Sequence, residues 1–185
     1  MGALTLVLTG AGGHLGRRVA TAACDAGHRV TALMRRGAAP DPRSEGLTLD
    51  LAVPSDALPP ILGPADAVIH CASAMAGDDA VHRRDTLAAT EHLLSGMTAA
   101  GTRRLVLAGS LSVYDHAGLS PHDLLDETCR LETAPEARDA YARAKLAQEA
   151  LCRDWAHGAP GREVWCLRIG VLWGPGRLWN AHLGP

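Results

Sequence analysis

Apolar residues along this chain fall into two alternating rhythms. Short, nearly unbroken apolar runs of strand length occur at residues 4–8, 29–34, 47–51, 67–71, 105–108 and 164–169. Such runs suit parallel strands covered on both faces, and 105–108 (Leu-Val-Leu-Ala) reads as a central one. Between them, apolar positions recur at helical spacing. Leu15, Val19, Ala22, Ala23 and Ala26 share one face, and Gly27 is a stop signal. Leu87, Glu91, Leu94 and Thr98 mark the turns of a helix over 81–100, ended by Gly101. Ala140, Ala144, Ala147, Leu151 and Trp155 mark another. Ahead of it, Thr133 and Glu136 make a capping-box pattern, with Pro135 in the first turn. Residues 54–62 hold at most a short helix, and 37–46 is a loop rich in Pro, Gly and Asp. Strands alternating with helices, without repeats, predict an α/β fold with a doubly wound, mostly parallel sheet of about six strands.

Composition narrows the function classes. The length of 185 residues, 47% hydrophobic and 21% charged, suits one globular domain. No apolar run reaches the roughly 18 residues of a membrane-spanning helix, and the first five residues lack the basic start of a signal peptide. Cys24, Cys71, Cys129, Cys152 and Cys166 form no CxxC pair, so neither a disulfide framework nor a zinc site is expected, and no other metal motif occurs. A reducing, cytoplasmic setting fits. A net charge of −2 offers no attraction for nucleic acid or an anionic membrane. Of the 18 basic residues only Lys145 is a lysine, so an Arg-for-Lys drift has spared one position.

Gly10, Gly13 and Gly16 sit between the first strand and the first helix at the spacing GxxGxxG. Glycine there allows a tight turn and a close backbone approach to a pyrophosphate, which the helix N-terminus then faces. This placement makes dinucleotide binding, in a Rossmann-type sheet, the better reading over a simple tight turn. An NAD site usually carries an acid at the end of the second strand. Here Arg35 and Arg36 stand there, and guanidinium groups suit a 2′-phosphate, so NADP is expected first and NAD second. Other Arg doublets occur in the chain, which leaves a solvated strand end as the alternative. Asp50 could touch the adenine or be an ordinary loop carboxylate.

Tyr141 and Lys145 lie four residues apart, on one face of the predicted helix. A compact ammonium beside a phenol favours the phenolate and lowers a pKa of about 10. A tyrosine so tuned can give or take a hydroxyl proton while hydride moves. A surface lysine beside a half-buried tyrosine is the plain alternative. Ser110 and Ser112 follow the fifth strand, where ligand crevices of such sheets lie. For Ser112 a turn or cap role is preferred. His70 and Cys71, at the end of the fourth strand, are expected to line the coenzyme by backbone contacts. Trp165, Trp173 and Trp179 crowd the C-terminal part, either as an exposed self-association surface or with Trp165 in the core.

These pieces occur in the order TGAGGHLG (9–16), DL (50–51), DAVIHCAS (66–73), VLAGSLSVY (106–114), YARAK (141–145) and LRIGVLWGPG (167–176). Together they resemble an extended short-chain dehydrogenase/reductase of the NAD(P)-dependent epimerase/dehydratase family. The resemblance implies that Tyr141 is the catalytic acid/base, Lys145 orients the nicotinamide ribose, and Ser110 polarises the carbonyl. It implies coenzyme contacts at Gly10, Gly13, His14, Leu15 and Gly16, at Arg35, Arg36, Asp50 and Leu51, at Cys71, Ala72 and Ser73, and at Tyr141 and Lys145. It implies hydride transfer on a small molecule, often a nucleotide sugar, and a possible homodimer. Three departures stand out. Thr86 replaces the asparagine of an NVxGT-like pattern, Gly109 and Asp115 replace a serine and a glycine around Ser110–Tyr114, and Leu111 and Ser112 replace the acidic pair usual in dehydratases. Members commonly run longer, so 1–185 is expected to be the coenzyme-binding domain, with the substrate domain missing. The alternative is a non-catalytic NADP-binding module, or a fragment that needs a second half for activity.

Overall fold

The structure is a computed structural model and describes residues 2–120 and 122–174. Six parallel strands form one sheet: β1 (Thr5–Thr9), β2 (Arg29–Met34), β3 (Glu45–Thr48), β4 (Ala67–His70), β5 (Arg104–Ala108) and β6 (Glu163–Leu167). Their order is β3-β2-β1-β4-β5-β6. The pairing sets Thr5 against Arg29, Leu6 against Ala67, Val68 against Leu105 and Arg104 against Glu163. The helices are α1 (His14–Asp25), α2 (Leu58–Leu62), α3 (Asp79–His82), α4 (Ala89–Ala100) and α5 (Ala140–His157). The doubly wound α/β architecture is the one the apolar rhythm predicts.

Alternation along the strands divides the core. Val7, Leu33, Val68, Leu105 and Leu107 pack on one face with Leu58 and Leu62 of α2, Leu93 and Met97 of α4, and Cys152 and Trp155 of α5. Leu8, Val30, Ala32 and Met34 point to the other face, against Ala20 and Cys24 of α1. Period-2 side-chain direction produces both layers from the same strands. Among the described residues no helix is long and apolar enough to cross a membrane.

Several elements depart from the sequence expectation for identifiable reasons. β3 lies at Glu45–Thr48, earlier than 47–51, because it pairs only with β2, whose last registered residue, Met34, opposes Thr48. The Thr133–Glu136 pattern heads a separate 3-10 turn, Pro135–Ala137, and not α5. α5 is capped by Asp139, whose carboxylate accepts from the Ala142 N–H at 2.7 Å. The predicted 81–100 helix begins at Asp79 with Asp78 as its cap, and contains a π-helical stretch, Arg83–Ala88. β6 exposes Trp165 and Leu167, which are 48% and 51% accessible, so Trp165 is not a core residue. Trp173 is exposed as well, while Trp179 and the end of the last motif lie outside the described residues.

Candidate functional site

Strand order reverses between β1 and β4, the switch point beside which sheets of this kind take their ligands. Gly10 leaves β1 with φ 65°, and a Cβ there would stand 2.6 Å from the Ala72 nitrogen. A Cβ at Gly16 would stand 2.8 Å from Ala11 Cα. The glycine turn is therefore closed against the β4 exit by backbone, and only hydrogen fits. Gly13 is the N-cap of α1 and supplies no side-chain cap, so the first N–H groups of the helix, at His14, Leu15 and Gly16, remain available to an anion. Arg17 Nε braces the turn by donating to the Gly12 carbonyl at 2.8 Å. These features fit a pyrophosphate.

The strand ends beyond the turn carry a chain of charges. Arg35, at the end of β2, donates to Asp85 at 2.9 Å. Arg84 bridges Asp85 and Asp50, the latter at 2.6 Å. Asp50 also accepts from the Ala52 N–H, and these bonds, with the Arg84 and Arg35 charges, outweigh burial and hold its carboxyl below the usual range. Arg36 is exposed, and Leu51 is buried with its carbonyl 2.9 Å from His92 Nδ1. Arg35 and Asp50 are thus joined through two residues of the α3–α4 segment, which sequence spacing did not suggest. Met34, at the end of β2, lies 3.8 Å from the Cβ position of Gly12, so an apolar side chain sits against the glycine turn.

At the β4 exit, Cys71, Ala72 and Ser73 are half-buried. Burial pushes the Cys71 thiol up to about 11. Thr86, in the position where the family carries asparagine, is fully buried in the π-helical stretch. Its hydroxyl accepts from the Ala74 N–H at 3.0 Å and meets Ser73 Oγ at 3.3 Å. It therefore pins the backbone of the β4 exit. Extra residues per turn in a π stretch re-aim one side chain inward, a device common near functional sites.

On the β5 side, Ser110 caps the 3-10 turn Leu111–Val113, its Oγ accepting from the Ser112 N–H at 3.2 Å. The capping serine is thus Ser110 and not Ser112, whose buried hydroxyl has no partner among the described residues. Capping uses a lone pair of Ser110 and leaves its O–H free to donate. Arg138 clamps this loop by donating to the Ser112 and Tyr114 carbonyls. Tyr114 is buried under Arg168, which donates to its hydroxyl at 2.9 Å and to Glu149 at 2.7 Å. α5 packs on the same turn.

Tyr141 and Lys145 stand one turn apart on α5, Tyr141 half-buried and Lys145 4% exposed. The surface-lysine alternative is thereby removed. Lys145 donates to the Ala108 carbonyl at the end of β5 (2.9 Å) and to Gln148 Oε1 (2.7 Å). An ammonium has three donors, so one N–H has no partner among the described residues. Burial lowers Lys145 to about 8. Against the Tyr141 ring lies the edge of His82, with centroids 6.0 Å apart at 67°. His82 is buried, and neither ring nitrogen has a hydrogen-bond partner among the described residues.

Behind Lys145 runs a buried polar chain that no sequence motif marked. Gln148 Nε2 donates to Thr90 Oγ1 (2.9 Å), Thr90 contacts His70 Nε2 (3.0 Å), and His70 Nδ1 contacts Thr9 Oγ1 (2.6 Å). The His70 side chain is thus internal to the sheet–helix layer, whereas only backbone contacts to coenzyme were expected of it. Burial, then the Lys145 charge, lower His70 to about 3. Unfolded, it titrates near 6.5, so between these values the unfolded chain binds the extra proton and stability falls as pH falls. Well below 6.5 the slope from this residue approaches about 1.4 kcal/mol per pH unit, and between pH 6.5 and 5.5, where the unfolded histidine is only partly protonated, the expected loss is about 1 kcal/mol. Urea unfolding at pH 6.5 and 5.5 measures it, and His70→Gln is expected to flatten the dependence. An equal slope in both proteins would remove His70 as its source.

The strand order, glycine turn and one-turn Tyr–Lys pair define the Rossmann-type fold of the short-chain dehydrogenase/reductase class. The chain belongs to the NAD dependent epimerase/dehydratase family, whose family model matches residues 6–183. No curated protein matches the chain. It is similar to the solved structure of MoeE5 in complex with UDP-glucuronic acid and NAD, at 27% identity and TM-score 0.78, covering 94% of this chain and 56% of that one. It is also similar to a short-chain dehydrogenase/reductase superfamily protein from Agrobacterium tumefaciens with bound NAD, at 28% identity and TM-score 0.72, covering 89% and 48%. The UDP-N-acetylglucosamine 4-epimerase from Bacillus cereus shares the fold at 21% identity and TM-score 0.72, covering 90% and 53%. The chain spans about half the length of these proteins.

Proposed function

We propose that this chain is the coenzyme-binding part of an NAD(P)-dependent enzyme that transfers hydride at a carbonyl or hydroxyl carbon of a nucleotide sugar. The observation that carries this reading is the buried Lys145 ammonium, one helical turn after Tyr141, with one donor unpartnered among the described residues. In this reading Gly10, Gly13, His14, Leu15 and Gly16 hold the pyrophosphate through backbone N–H groups. Cys71, Ala72 and Ser73 line the opposite wall. The N–H of Lys145 left over from its two protein bonds donates to a ribose hydroxyl. Ser110 donates its O–H to the reacting oxygen, and Tyr141 takes or returns the proton of that oxygen. The bound nicotinamide supplies the hydride chemistry. Leu111 and Ser112, in place of an acidic pair, favour ketone reduction or epimerisation over dehydration. The UDP-glucuronic acid in the MoeE5 complex supports the substrate class.

NADP remains the first choice of coenzyme and NAD the second. Met34 supplies no carboxylate against the glycine turn, and Arg35, the next residue, is paired with Asp85 while its side chain is 61% exposed. The NAD bound in the MoeE5 complex and in the Agrobacterium tumefaciens protein supports the second choice. Titration with NADPH and with NADH tests this: Arg35→Ala is expected to weaken NADPH roughly tenfold or more and leave NADH unchanged. Preference for NADH, unaltered by the substitution, would restrict Arg35 to its ion pair with Asp85. A second reading is a module that binds coenzyme but does not turn over alone. Turnover by the 185-residue chain separates the two.

A further inference from the structure

The polar chain behind Lys145 has a direction that donor chemistry alone determines. An ammonium only donates, so the Gln148 atom facing Lys145 is the carbonyl oxygen and the amide nitrogen faces Thr90. Thr90 donates its one proton to the Thr86 carbonyl at 2.6 Å, so its oxygen accepts from both Gln148 and His70 Nε2. His70 therefore carries its proton on Nε2, and Nδ1 accepts from Thr9. Thr9 in turn accepts from the Ala72 N–H at 3.3 Å. No donor meets a donor along the chain, and reversing the Gln148 amide would break two links at once.

Packing gives no reason for a glutamine at this position. Gln148 is fully buried, and apart from Lys145 the buried residues one and two turns away on its face are Ala144, Cys152 and Trp155. An apolar side chain of similar volume would avoid the cost of desolvating an amide. The residue fits the need of its neighbour instead.

We propose that Gln148 is the positioning residue for Lys145: its carbonyl holds the ammonium against β5 and keeps it charged, while Thr90 and His70 lock the amide in the orientation this requires. Of the other groups around Lys145, Glu149 is an ionised carboxylate whose charge also favours the ammonium. Cys71 at the β4 exit and Cys152 on α5 are thiols pushed up by burial to about 11 and about 12. His70 on β4 is neutral for the reason given above. Glu149 on α5 is committed to Arg153 and Arg168. Tyr141 lies one turn earlier on the same helix. The Ala108 and Gln148 carbonyls are the dipoles in direct contact with the ammonium. The inference rests on the proposed function only for its meaning in catalysis.

The experiment exploits the single lysine. The full chain, labelled with 13Cε-lysine, gives one ε resonance, and its pH titration reads Lys145 without coenzyme, substrate or turnover. The midpoint is expected near 8 in the native chain. Gln148→Glu, isosteric and anionic, is expected to raise it by about one unit or more, and Gln148→Met, isosteric and apolar, to lower it by about one unit. Thr90→Val, which frees the amide to turn, is expected to move it in the same direction as Gln148→Met. A purely structural role would alter stability and leave the midpoint in place. Midpoints within about 0.3 unit of the native value in the Gln148 variants would overturn the proposal. Should those variants not fold, an unmoved midpoint in Thr90→Val would do so. Full turnover by Tyr141→Phe alongside shifted midpoints would sink the catalytic reading and leave this one standing.

Discussion

Tyr141→Phe is expected to lower turnover by about 10²–10⁴-fold while coenzyme affinity stays within about twofold. The reason lies in what the substitution spares. Phenylalanine keeps the ring that His82 packs against edge-on, so the α3–α5 contact survives. Lys145 keeps both of its hydrogen-bond acceptors, neither of which is Tyr141. Only the ionisable oxygen is lost, and with it the group that exchanges a proton with the substrate. Steady-state turnover and a coenzyme fluorescence titration on the same preparation separate the two quantities. A variant that turns over within threefold of the native protein would remove Tyr141 from the acid/base role. As pH rises through about 8, Lys145 loses its charge, so the native rate is expected to fall with the loss of the ammonium's charged contact to the coenzyme ribose.

Gly10→Ala is expected to cost about 2–4 kcal/mol of stability and to abolish measurable coenzyme binding. Two penalties add. The backbone sits at φ 65°, where an L side chain is strained, and the new methyl would stand 2.6 Å from the Ala72 nitrogen and 2.7 Å from the Cys71 carbonyl carbon. Both obstacles are backbone at the β4 exit, which cannot step aside without opening the crevice. Gly27→Ala is the control. It shares a left-handed φ of 80° but has nothing within 4 Å of its Cβ position, so only the conformational cost of about 1 kcal/mol applies. Urea unfolding of both variants checks the difference. Equal losses would mean that the crowding at Ala72 relaxes freely.

The fold was legible because buried parallel strands leave continuous apolar runs, and the intervening helices leave a different period. β2 falls at Arg29–Met34, the run read from sequence, since both of its neighbours are strands of this sheet. The glycine turn and the Tyr141–Lys145 pair were legible because each is a local spacing. What escaped was non-local or depended on geometry below the level of pattern. Thr9, His70, Thr90 and Gln148 come from β1, β4, α4 and α5, and no spacing rule links them. Arg35 is answered by Asp85, far along the chain. The π stretch at Arg83–Ala88 was invisible because a single widened turn hardly disturbs an apolar period, yet it aims Thr86 at the Ala74 backbone. The cap of α5 went to Asp139 and not to Thr133 because the intervening Pro135–Ala137 turn ends before the helix begins.

The burial of Lys145 has a consequence for chemistry from outside. It is the only lysine in the chain and is 4% exposed, so the folded domain presents no ε-amine to an acylating reagent. Acetylation or conjugation at that nitrogen requires α5 to lift from β5, breaking the bond to the Ala108 carbonyl. The rate at which a small amine-directed reagent modifies Lys145 thus clocks the opening of this layer. Bound coenzyme is expected to slow that clock in proportion to its occupancy.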